Sequence, residues 1–144
     1  MNSKEIGNLT ELQCITYLYS LGCDISIPFG NSQKYDLIMD WNNTLYRVQV
    51  KHTSIKLDEN GNTSHFSFKV RWQGHNSKGY TQTTYTKKDI DFFCTYYDGK
   101  AYLIPVEECS GAEKTLRILP PKNCQQKFVN FAHNYLADNV LKEL

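Results

Sequence analysis

No stretch of this chain is apolar enough for long enough to cross a membrane, and Met1-Asn2-Ser3-Lys4-Glu5 leads into a polar amphipathic segment rather than the apolar core of a secretory leader. A soluble, intracellular protein with no membrane contact is therefore expected. Paired cysteines are also missing. The five thiols (Cys14, Cys23, Cys94, Cys109, Cys124) are odd in number, form no C-x-x-C and mostly sit in apolar runs, which argues against a disulfide framework and against a zinc site. They read as reduced core or surface thiols. There is no linker, internal repeat or low-complexity tract, so the 144 residues are expected to form a single domain, 1–144.

Net charge is nearly absent too, at +1, but its distribution is uneven. Residues 1–44 carry two Lys/Arg against five Asp/Glu, residues 45–90 eight against three, and residues 91–144 six against seven. The basic character lies in the middle of the chain. Taken alone, a basic stretch is as compatible with a solvated face as with a nucleic-acid partner.

From Lys4 to Leu21 apolar residues recur with helical spacing, and Gly22 follows as a stop signal. Cys14, Ile15, Tyr17, Leu18 and Leu21 form one arc, and Glu11 falls in its middle. A buried carboxylate without a partner is costly, so a cation or a cluster of donors should await it. The alternative is a glutamate snorkelling at the edge of the arc.

Cys23 to Pro28 reads as a short strand and Phe29-Gly30-Asn31-Ser32 as a turn. Tyr35–Trp41 and Tyr46–Lys51 then read as two strands of a hairpin joined near Asn42-Asn43. Strand side chains alternate, so Asp36 shares a face with Ile38 and Asp40, and Gln49 shares one with Lys51, while Val48 and Val50 point into a core. An acid, a carboxamide and a lysine on neighbouring strands outline a hydrolytic site for phosphodiesters. A second hairpin is expected with arms near 51–57 and 64–72, turned by Asn60-Gly61, a pair favoured in type I′ turns. Asp58–Asn62 superficially suggests a calcium loop, but the acid required at its last position is missing.

Residues 73–85 are poor in aliphatic side chains and read as an exposed loop. Lys69, Arg71, Lys78, Lys87 and Lys88 offer cations for phosphates, and Gln73, His75, Tyr80, Gln82 and Tyr85 offer groups for base edges or sugars. A polar surface loop without a ligand is the alternative. Thr86–Asp89 looks like a short helix start feeding a strand over 90–97, and Asp98-Gly99 a tight turn into another over 101–106. A C-terminal helix is expected from about Gln125, with Phe128, Phe131, Ala132, Tyr135 and Leu136 packed on the sheet.

Phosphodiester hydrolysis needs a positioned water, a cation beside the phosphate and help for the leaving oxygen. Asp36, Glu11 and the carbonyl of Val50 are credible oxygen ligands for Mg²⁺ (or Mn²⁺), and Lys51 could orient or deprotonate the water. An ordinary edge-strand lysine is the alternative for Lys51.

Together, Glu11, Asp36 and Gln49-Val50-Lys51 resemble the PD-(D/E)XK nuclease superfamily. Tyr85–Phe93 leading to Tyr102-Leu103-Ile104-Pro105 is similar to a branch of it that includes a cyanobacterial intron-encoded homing endonuclease. The resemblance spans roughly residues 4–106. It implies an α/β fold with a restriction-endonuclease-like αβββαβ core, a mixed central sheet and a C-terminal helix. It also implies metal-dependent cleavage of double-stranded DNA, catalysis by Glu11, Asp36, Gln49 and Lys51, residues 54–85 as a hairpin-and-loop insertion that contacts DNA, and assembly into a homodimer or tetramer. Two departures stand out: Tyr35 replaces the proline before Asp36, and Gln49 replaces an acid. Gln49 still offers a carbonyl oxygen but removes one negative charge. A resolvase of branched DNA and a DNA-binding module without catalysis are the alternatives.

Overall fold

A computed structural model describes residues 1–76, 79–124, 127 and 129–144, with only the backbone taken for 72–76 and 80–82. The first helix, α1 (Ser3–Ser20), opens with a reciprocal capping box: Glu5 N–H donates to the Asn2 side chain at 2.9 Å, and Asn2 N–H donates to the Glu5 carboxylate at 3.1 Å. Gly22, at φ 103°, ends it in a conformation that side chains resist.

Strands β1 (Asp24–Ser26), β2 (Leu37–Trp41) and β3 (Thr44–Val50) follow as an antiparallel meander. Asn42 and Asn43 both adopt positive φ, 52° and 65°, as a two-residue type I′ connection demands. The next hairpin, β4 (Ser54–Leu57) with β5 (Thr63–Lys69), departs from the expected turn. Asn60 is not in the left-handed region; Asp58 instead accepts from the N–H groups of Asn60 and Asn62, each at 2.9 Å, and only Gly61 takes positive φ.

The loop expected over 73–85 is instead largely a third hairpin, β6 (Arg71–Asn76) and β7 (Gly79–Thr84). These two strands pair only with each other among the described residues. A strand signals itself in sequence chiefly through one buried, apolar face, and residues 73–84 contain no aliphatic side chain to write one.

The remaining elements are β8 (Phe92–Tyr97), β9 (Lys100–Pro105), a 3₁₀ turn over Val106–Glu108, β10 (Glu113–Arg117), a second 3₁₀ turn over Ala132–Tyr135 and the helix α2 (Ala137–Lys142). The C-terminal helix therefore starts later than the sequence suggested. Gln125 and Phe128 lie outside the described residues, and Ala132 and Tyr135, buried three residues apart, sit on the 3₁₀ turn. Tyr17 Oη donates to Asp138 at 2.5 Å and Trp41 Nε1 donates to the Leu141 carbonyl at 2.9 Å, which fixes α2 against α1 and β2.

The main sheet runs β1-β2-β3-β8-β9 and is mixed, because β3 and β8 are parallel and every other pair is antiparallel. A parallel pair needs a long crossover, usually helical. Here the connection is the β4–β7 insertion, and the expected helix is reduced to one turn closed by the N–H groups of Asp89 and Ile90 on the Thr86 carbonyl, at 2.9 and 3.2 Å.

Both faces of the main sheet are covered, and alternation sorts its residues between them. Phe92, Cys94, Ala101 and Leu103 join Cys14, Leu18, Leu37, Met39, Val48 and Leu141 beneath the helices. Phe93, Tyr102 and Ile104 join Phe66, Phe68 and Leu116 of a second sheet, ordered β10-β5-β4, and Val70 just past β5. The second core is aromatic: Phe66 stacks on Tyr97 at 4.9 Å, and Phe68 meets Phe93 at 5.7 Å. Burial of each such phenylalanine contributes about 2–3 kcal/mol. Four of the cysteines are buried and all five are free. Among the described residues no helix is long and apolar enough to cross a membrane.

Candidate active site

Asp36 lies immediately before β2, opposite the end of β3. Its N–H donates to the Val48 carbonyl at 2.9 Å, and its Oδ2 accepts from Val50 N–H at 2.8 Å. The carboxylate thus takes the place of a backbone acceptor, which locks one of its oxygens beside the last residues of β3. One residue further, Lys51 N–H donates to the Cys94 carbonyl at 2.9 Å, so β8 also holds the lysine's backbone.

Val48 and Val50 point into the core under α1, which turns Gln49 and Lys51 to the other face. There the Lys51 ammonium lies 5.2 Å from the centre of the Tyr85 ring. That ring is itself fixed edge-to-face against Phe93, at 5.3 Å and 85°. Tyr85, expected among DNA-facing residues of an exposed loop, is instead 5% exposed and forms the wall beside Lys51. Its sequence neighbours are polar, so only tertiary packing reveals this.

The charges of the site act on one another. Burial pushes the Asp36 carboxyl above its ordinary range, while the Val50 N–H and the Lys51 cation pull it back. Burial lowers the pKa of Lys51; Asp36 opposes the shift and Lys69 reinforces it. Glu11 is half-buried on α1, and burial followed by the negative charge of Asp36 raises its carboxyl. That repulsion places the helix acid in the electrostatic reach of Asp36. Tyr85 is pushed up to about 12 by burial and then by Asp36 and Asp89.

Two carboxylates, of which Glu11 is disfavoured as an anion by the charge on Asp36, a main-chain carbonyl at Val50 and the amide oxygen of Gln49 would suit a hard divalent cation, which takes oxygen ligands and would relieve the repulsion. The fit is economical. Among the described residues no three His, Cys, Asp or Glu side chains form a group that could hold a metal, and Gln49 brings an amide where a carboxylate would add charge.

The cations proposed for DNA divide by environment. Lys69 is exposed at the end of β5 and its charge is felt at Lys51. Arg71 donates from Nε to the Gly111 carbonyl at 3.1 Å, tying β6 to the loop before β10. Lys87 and Lys88 are exposed, and Lys87 Nζ is 4.0 Å from Glu107. The register sets Gln73 opposite Gln82 and His75 opposite Tyr80, but these four side chains and all of Lys78 lie outside the described residues.

An arginine clamp beneath the lysine turn was not legible in the sequence. The Arg47 guanidinium donates to the carbonyls of Lys88 and Lys87 at 2.5 and 2.7 Å, and its backbone N–H donates to Asp91 at 2.8 Å. Nothing in residue spacing announces it, since the partners are forty or more positions away.

A helix acid that feels the charge of an acid just before one strand, with a lysine just past the end of the next and a five-stranded mixed sheet beneath, fits a nuclease of the restriction-endonuclease class. The sequence pattern of the PD-(D/E)XK endonuclease family matches residues 1–138, and the chain belongs to that family. Among solved structures it is similar to a bacterial homing endonuclease, I-Ssp6803I, with a TM-score of 0.77 and 21% identity over 99% of this chain and 95% of that one. That likeness is one of fold. No curated protein sequence matches the chain.

Proposed function

We propose that this protein is a sequence-specific endonuclease of double-stranded DNA, of homing or restriction type, that uses a divalent cation. The observation that carries this reading is the side-chain-closed strand end, where Asp36 is locked on Val50 N–H beside Lys51 and within reach of the charge on Glu11. Glu11, Asp36 and the Val50 carbonyl would hold Mg²⁺ or Mn²⁺, with Gln49 offering its amide oxygen to the cation or to a water. When bound, the cation supplies positive charge beside the scissile phosphate.

Lys51 acts on the attacking water. Its lowered pKa lets it shed its proton more readily than an exposed lysine and so be available as a base, and as a compact cation it stabilises charge on the phosphorane oxygens. The water oxygen bonds to phosphorus, the bond to the leaving oxygen breaks, and that oxygen takes up a proton. The wall of Tyr85 and Phe93 restricts where the ammonium can lie.

Within the insertion over 54–85, where Phe66 and Phe68 of β5 are buried, the β6–β7 ribbon would contact the DNA, since a two-stranded ribbon fits a major groove. Lys69 and Arg71 at its base, with Lys87 and Lys88, meet phosphates. A homodimer or tetramer would supply one site per strand. The reading is tested by incubating the protein with a library of duplexes and Mg²⁺: discrete cuts that EDTA abolishes support it, and the absence of cutting on any duplex overturns it. Lys69→Ala should weaken binding and flatten the dependence of log K on log salt by about 0.9, the effect of one phosphate contact. An unchanged slope in anisotropy titrations removes Lys69 from the interface.

The missing third acid favours a second reading, a module that binds DNA without cutting it. Gln49→Glu separates the two. Cutting that first appears in this variant supports the second reading, and cutting already present in the unaltered protein excludes it.

A further inference from the structure

The segment between β1 and β2 delivers Asp36 to the site, and its tip has a use of its own. Ser26 pairs with Ile38, so residues 27–35 project beyond the sheet at the end where Asp36 and Val50 meet. At the tip Phe29 is 100% exposed, with Ile27 at 58%. No larger fraction of a phenylalanine can be offered to solvent, and none of the cores claims it. Pro28 stiffens the chain on one side of Phe29, and Gly30, at φ 83°, turns it on the other. The base is tethered too: Lys34 Nζ contacts Asp89 at 3.0 Å, beside the turn that carries Lys87 and Lys88.

The loop carries nothing that would repel a polyanion. Residues 25–35 contain no acid, their one lysine, Lys34, is paired with Asp89, and Ser26, Asn31, Ser32 and Gln33 are neutral hydrogen-bonding groups. Seven residues separate Phe29 from Asp36, a reach of at most roughly 25 Å, or about seven base pairs along a strand at 3.4 Å each. An apolar side chain held forward by a stiff loop near a phosphate-cutting centre has the form of a wedge, which enters a groove and partly unstacks a base step.

Resting on the DNA-cleavage reading, we propose that the 27–34 loop is a second DNA contact beside the β6–β7 ribbon's, and that Phe29 inserts at a base step within about seven base pairs of the scissile phosphate. The occupant is duplex DNA, and the contact is apolar stacking. A flexible or distorted step near the cut would then be part of the recognised sequence, through its deformability rather than its base edges.

The test uses duplexes selected from a random library for tight binding in EDTA, with 2-aminopurine placed at successive positions. Its emission rises where a base loses its stacking. On saturating binding the unaltered protein should brighten one position, Phe29→Ala should remove that signal, and Phe29→Leu should keep most of it. Cleavage by Phe29→Ala should fall about tenfold, the scale of losing one aromatic–base stack. The melting temperature should not move, because the side chain is wholly exposed. The inference is overturned if no position brightens in the bound duplex, or if Phe29→Ala brightens the same position as the unaltered protein. It is also overturned if Phe29→Ala abolishes self-association while leaving the 2-aminopurine signals intact, which would assign the tip to a second copy of the chain. Failure to cut any duplex would overturn the nuclease reading alone, since the 2-aminopurine signals of bound but uncut DNA still decide about the wedge.

Discussion

Lys51→Met is expected to lower single-turnover cleavage by about a thousandfold while leaving duplex affinity within a factor of a few, because removing a proton acceptor or a charge stabiliser typically costs 10²–10⁴ in rate. Methionine keeps most of the length of the lysine and sets a thioether where the ammonium lies over the Tyr85 ring, a contact that sulfur makes favourably. What disappears is the charge. The half-buried ammonium is disfavoured by burial and by Lys69, so its loss relieves a penalty while leaving Asp36 without the cation that holds its carboxyl down. The fold should therefore survive, and circular dichroism melts would show it. Lys51→Arg offers a sharper discrimination. A guanidinium keeps the positive charge but cannot accept a proton near neutrality and is planar where the ammonium is compact. Substantial activity in this variant would mean that Lys51 serves as charge alone. Binding that falls in parallel with cleavage for Lys51→Met would place the lysine on the DNA rather than on the water.

The parts of the molecule that the sequence announces are those where local chemistry and burial coincide. The Asn2/Glu5 box and Gly22 bound α1, paired left-handed residues mark the Asn42-Asn43 and Asp98-Gly99 turns, and apolar alternation marks β2 and β3. The same alternation sets Val48 and Val50 toward the core and so turns Gln49 and Lys51 away from it, which is why their shared face was legible in the sequence. What could not be read depends on partners far along the chain. The β6–β7 ribbon has no apolar face to announce it, Tyr85 becomes a wall residue only because Phe93 stands behind it, and the Arg47 clamp needs the β3–β8 register to exist. The 3₁₀ turn at Ala132–Tyr135 illustrates another limit: its buried residues satisfy a helical spacing equally well, and only their backbone distinguishes the two. Glu11 falls between these cases. Its place in the apolar arc led the sequence argument to expect a cation or donors beside it, and the structure instead sets it in the field of Asp36, a like charge.

Asp36→Asn should produce opposite effects on activity and on stability in the metal-free protein. Cleavage should fall by about a thousandfold or more, since the substitution removes one of the two carboxylates and with it the charge that matches Lys51. Stability at neutral pH should rise. The folded-state pKa of Asp36 lies above its unfolded value because burial disfavours the anion, so the native protein binds its proton more tightly than the unfolded chain does. That difference favours the fold at low pH and is progressively lost as pH climbs from the unfolded value, near 3.8, through the folded one. Above the folded pKa the full cost of the buried anion remains. Asparagine carries none of that cost, its side-chain oxygen can still accept from Val50 N–H, and Glu11 is freed from a like charge that raises its own pKa. The loss of Coulomb support for the Lys51 cation acts the other way, but burial, not Asp36, is the largest influence on Lys51. Thermal melts at pH 7 in EDTA should therefore place the variant above the unaltered protein. Adding Mg²⁺ or Mn²⁺ should then raise the melting temperature of the unaltered protein and leave that of the variant nearly unchanged, because a ligand stabilises only the state that binds it. If both proteins melt alike with and without the cation, Asp36 is not the anchor of a metal site; if the variant is the less stable of the two in EDTA, the carboxylate at this strand end is held for the fold and not at its expense.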